Sequence, residues 1–158
     1  MAAVFLQGSA PVWLLLHAVV GFAVVGAVTH LAVHAVALAR STAPGNRGAR
    51  IFGVVLPALF LVAFAAGLLL YPDWRVQVRG AVLDVRAPAA SALFELKEHL
   101  AALALPLVLG AAVLARRPDA REVRWMAAPF AVLGATLVWV VALLGLFITA
   151  VRAVGGLP

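Results

Sequence analysis

Apolar residues run in four long blocks along this chain, from Val12 to Ala39, Ile51 to Tyr71, His99 to Ala115 and Trp125 to Val151, separated by short polar stretches. Each block is close to or above the about 20 residues that an α-helix needs to cross a hydrocarbon layer about 30 Å thick. The third has an amphipathic lead-in from Pro88, which suits the first turn of a helix because the missing N–H has no partner to lose there. Such runs are too long for barrel strands, so helices must pair the backbone polar groups that lipid cannot. The expected fold is therefore all-α: an integral membrane four-helix bundle of up-down topology, with helices over about 11–39, 51–71, 88–116 and 124–152.

The polar stretches are unequal. STAPGNRGAR and RRPDAREVR read as ordinary connections. The outer loop 72–87 is different: in PDWRVQVRGAVLDVRAPAAS, Arg75 to Arg79 alternate polar and apolar, which suits either a short strand or an interfacial helix. Pro57, Pro106 and Pro129 fall within helices 2, 3 and 4, where a membrane bundle tolerates them.

Composition makes the class firm. Of 158 residues, 66% are hydrophobic and 11% charged, against about 25% charged in a soluble domain. The net charge of +6 does not point to nucleic acid, because the arginines flank the apolar blocks, where they set topology and meet lipid phosphates. Seven basic residues lie in the first and third connections (Arg40, Arg47, Arg50, Arg116, Arg117, Arg121, Arg124). Five lie on the other side (Arg75, Arg79, Arg86, Lys97, Arg152), so both termini are expected outside. MAAVFLQGSA carries no Lys or Arg and the run after it is too long for a signal-peptide core, so it reads as the start of a retained helix. With no cysteine, any cofactor must be held by His, Met, carboxylate or backbone.

Histidine is the conspicuous polar residue. Helix 1 carries His17, His30 and His34, and helix 3 begins its apolar part with His99. Ionisable residues inside a membrane are costly and mark a site, although a histidine can also simply bond a neighbouring helix. His17 and His99 both fall near the outer surface, about one to two helical turns apart in depth. His17 and His30 each have a glycine four residues toward the membrane middle, Gly21 and Gly26, and so on the same face. Such a gap suits a flat macrocycle beside its axial ligand, or else close helix packing. His17 and His30 are separated by about 20 Å of rise and point about 140° apart, so they would serve different neighbours. His30 and His34 share a face; they cannot both ligate one haem, but they suit a zinc or copper ion. For an inner haem, Met126 is a further candidate ligand. Near the outer site, Glu95 stands four residues before His99 and is placed to orient its ring, while Arg75 and Arg79 suit haem propionates, lipid phosphate or nearby aspartates.

On His17, Gly21, Gly26, His30 and His99, the chain resembles the small four-helix b-type cytochrome subunits that connect respiratory enzymes to the quinone pool. The resemblance covers the architecture and no family-specific motif. It implies haem b between His17 and His99 and electron transfer between quinone and a partner redox protein in a complex within a bacterial cytoplasmic (inner) membrane; for a second haem on His30 or His34, the chain departs from the usual two-haem pattern in lacking a clear fourth ligand at the inner level. Two other classes stay open: a cofactor-free structural or assembly subunit of a respiratory membrane complex, and a metal-handling protein using His30 and His34. The lack of acidic residues within the four blocks argues against an ion-coupled pump.

Overall fold

A computed structural model describes residues 7–41, 47–117 and 121–154. Four helices among them are long and apolar enough to cross a membrane. These are α1 (Ala10–Arg40), α2 (Arg47–Asp73), α3 (Pro88–Ala115) and α4 (Arg121–Val154). A short 3₁₀ turn, Gln7–Ser9, leads into α1. Prolines stand in the first turns of α1 and α3, where their fixed φ helps and no hydrogen bond is lost.

Residues 72–87 form neither a strand nor an open loop. The helix of α2 continues through a π-helical segment, Trp74–Leu83, and a last turn, Asp84–Arg86, before breaking at Ala87. Of the two forms expected for Arg75 to Arg79, the chain adopts the helical one. The wider π turn explains the misleading alternation. Val78, Val82 and Leu83 are buried whereas Val76 is 52% exposed, a four-to-five-residue period in place of two.

α1 packs on α2 and α4, and α3 packs on α4 and α2, so that α1 and α3 touch little. The core is built largely of small side chains, with Ala27 and Ala35 on α1, Ala49 on α2, Ala104, Ala111, Ala112 and Ala115 on α3, and Ala131 on α4. Larger residues such as Leu15 (66% exposed), Phe22 (65%) and Phe147 (52%) cover the outside. Small residues inside and large apolar residues outside is the arrangement that lipid selects, because packing, and not escape from water, holds the helices together.

Proline and glycine set one close contact. Pro57 has no N–H, which frees the carbonyl of Gly53 four residues earlier. Arg116, at the end of α3, donates its Nε–H to that carbonyl at 2.9 Å. Gly53 makes the approach feasible, since a Cβ there would lie 3.0 Å from the carbonyl oxygen of Ala112. On the far side of the core, Trp139 Nε1 of α4 donates to Thr29 Oγ1 of α1 at 3.0 Å, and that hydroxyl donates in turn to Val25 O at 2.7 Å.

Candidate functional site

His17 is half-buried against α2, with Nδ1 2.8 Å from the carbonyl oxygen of Ala63. A carbonyl only accepts, so Nδ1 carries the hydrogen, and in the neutral ring Nε2 keeps its lone pair. Gly67 supplies the space: a Cβ there would stand 3.1 Å from His17 Cε1. His99 behaves alike on its own helix, with Nδ1 2.7 Å from Glu95 O, so its Nε2 is also left as an acceptor. His99 is exposed, and the helices that carry the two histidines touch little.

The second histidine level is an aromatic stack. The His30 ring lies 5.0 Å from that of Phe52 at an interplanar angle of 7°, His34 lies 5.9 Å from Phe52, and the two imidazoles are 6.5 Å apart. His34 is seated directly over Gly48, so closely that any side chain there would overlap its ring. Among the described residues no group of three His, Asp or Glu side chains could hold a metal ion. Met126 is 52% exposed at the start of α4.

Gly21 and Gly26 do not mediate close packing within the chain. A Cβ on either would meet nothing within 4 Å, so the open patch of α1 beside His17 faces outward.

The charged groups expected near His99 are differently engaged. The carboxylate of Glu95 takes a hydrogen bond from Arg79, and it is the Glu95 backbone, not the carboxylate, that orients His99. Arg79 also lies 3.7 Å from Asp84, which accepts from the buried hydroxyl of Ser91. These contacts tie the π segment to α3. Arg75 is exposed.

Lys97 was missed by reasoning from histidines. It is half-buried in the bundle, its Cε 3.4 Å from where a Cβ on Gly145 would be, and its Nζ 5.1 Å over the ring of Phe94. Phe94 stacks in turn on Trp74, centroids 3.6 Å apart. The signal was available: Ala90, Phe94, Lys97, Ala101, Ala104, Val108, Ala111 and Ala115 follow a three-four spacing, the stripe a packed helix turns inward. His99 stands two residues off it.

Compared with protein-family models, curated proteins and solved structures, the chain matches none of them.

Proposed function

We propose that this chain is a membrane-embedded electron-transfer subunit that binds haem b and passes electrons between the quinone pool and a partner redox protein. The observation that carries the reading is the hydrogen bonding of His17 and His99. Each ring spends Nδ1 on a backbone carbonyl and keeps Nε2 as a lone pair, which is the arrangement that fixes an axial ligand. The open surface at Gly21, on the face of His17, leaves room for a flat ring. Because His99 faces outward, the proposal places the iron at the surface of this chain within a complex, not in a closed cavity of one bundle. Haem iron, when bound, supplies one-electron chemistry. The chain's own part is to hold the His17 ring between Ala63 and Gly67 and to exclude water with lipid-facing helices.

The proposal includes the orientation: an up-down bundle with both termini outside. Contacts of His17 with Ala63 and of His34 with Gly48 support the alternation, and the seven arginines of the first and third connections support the side. The proposed location is a bacterial cytoplasmic membrane.

A second reading, a cofactor-free structural or assembly subunit, draws on a specific observation. All three histidines of α1 take part in packing on α2: His17 through Ala63, and His30 and His34 through Phe52. A reduced-minus-oxidised visible spectrum of protein purified from its native membrane, with haem quantified per chain, separates the two. The electron-transfer reading expects a b-type spectrum lost in both His17→Ala and His99→Ala. Absence of haem overturns it and leaves the structural role.

A further inference from the structure

The end of the bundle that holds His17 also contains a cleft which the proposed function does not use. It lies between the beginning of α1, the helical run 70–83 and the end of α4, and has a volume of about 310 Å³. Its walls are apolar except for Asp73, Gln77, Thr149 and the indole edge of Trp74. One carboxylate oxygen of Asp73, Oδ1, is buried and has no hydrogen-bond partner among the described residues. Thr149 cannot serve it, because its hydroxyl donates to Gly145 O at 2.9 Å.

A buried acceptor without a donor is among the costlier features a fold can keep, and a ligand that brings a donor relieves that cost. The chemistry of the walls narrows the ligand. Among the described residues no Lys or Arg lines the cleft, so a phospholipid head would bring its phosphate beside a carboxylate with nothing there to balance the two charges. A head that is neutral and carries a hydroxyl meets no such conflict. Its body would rest against Trp74, which Phe94 holds in place by stacking. We propose that the cleft binds the head of a neutral, hydroxyl-bearing, membrane-soluble molecule whose O–H donates to Asp73 Oδ1, with the Gln77 amide serving a second oxygen.

The test uses the full chain in phosphatidylcholine nanodiscs, following tryptophan fluorescence against matched empty discs. Three probes are titrated: a hydroquinone with a short alkyl tail, the corresponding quinone, and a monoacylglycerol. The hydroquinone has the O–H and the quinone lacks it, so the proposal expects at least a tenfold preference for the reduced form in the unaltered protein. Asp73→Ala removes the acceptor and should abolish that preference. Leu14→Trp fills the cleft with Asp73 in place and should abolish binding, which guards against misfolding of the Asp73 variant. Saturable, Asp73-dependent binding of the monoacylglycerol alone also supports the site and identifies an aliphatic alcohol as its ligand. Equal affinity for quinone and hydroquinone, together with monoacylglycerol binding unchanged by Asp73→Ala, overturns it. None of these measurements requires haem, so a chain without haem defeats the electron-transfer reading and leaves this one standing.

Discussion

Replacing Arg116 by Met tests whether the side chain at the end of α3 is a substitute for the N–H that Pro57 lacks. In the native chain Gly53 O receives Arg116 Nε–H at 2.9 Å, and Gly53 itself is buried. An unsatisfied carbonyl costs about 1–3 kcal/mol. Hydrogen bonds measured between membrane helices average only about 0.6 kcal/mol and reach about 1.7 kcal/mol, because the separated helices find other partners. Arg116 is exposed, so headgroup water can replace part of the lost bond. Arg116→Met should therefore destabilise the bundle by about 1–1.5 kcal/mol. Pro57→Ala returns the intrahelical donor to Gly53 O, and in that background the same Arg116 substitution should cost roughly 0.5 kcal/mol or less. The difference between the two costs, about 1 kcal/mol, is the coupling between proline and arginine. Reversible unfolding in mixed detergent micelles, followed by far-ultraviolet circular dichroism, measures all four corners of the cycle. If Arg116→Met costs the same in both backgrounds, Arg116 acts through lipid phosphates or helix-end charge and the carbonyl argument is wrong.

Two further perturbations probe the other inter-helix contacts. Gly48→Ala places a methyl group inside the His34 ring position and should destabilise by about 1–3 kcal/mol, a loss largely relieved by His34→Ala in the same micelle assay. Arg79→Gln removes the partner of Glu95 and Asp84; since both carboxylates are exposed, global stability should change by less than about 1 kcal/mol. Amide hydrogen exchange over 74–86 should nevertheless accelerate, and unchanged exchange would show that Trp74 and Leu83 alone hold the segment.

The spans were legible because a bilayer imposes one crude requirement, a long apolar helix, and residues such as Val12 to Ala39 satisfy it visibly. The helices extend slightly past the apolar blocks, as α2 does from Arg47, because charged residues continue a helix into the headgroups at little cost. Residues 72–87 were ambiguous for a different reason: five alternating residues fit a strand, and nothing local announces a π turn. Histidine types and depths could be read, but not their partners. That His30 and His34 flank Phe52, or that His17 meets Ala63, depends on how α1 is rotated against α2, which periodicity on one helix leaves open. Lys97 shows the converse. Its register was readable, and attention to residue type over register hid it.

The two-ended attachment of α1 to α2 bears on how the protein is made. His17 docks in the second half of α2, while His34 and Phe52 interlock near its beginning. Both contacts lie within α1 and α2, upstream of α3 and α4 in the chain, so rotation and sliding of this pair can be settled while α3 and α4 are still being synthesised. The later helices then insert beside a partner whose register is already set, and the order of translation becomes part of what selects a single arrangement among four similar greasy rods.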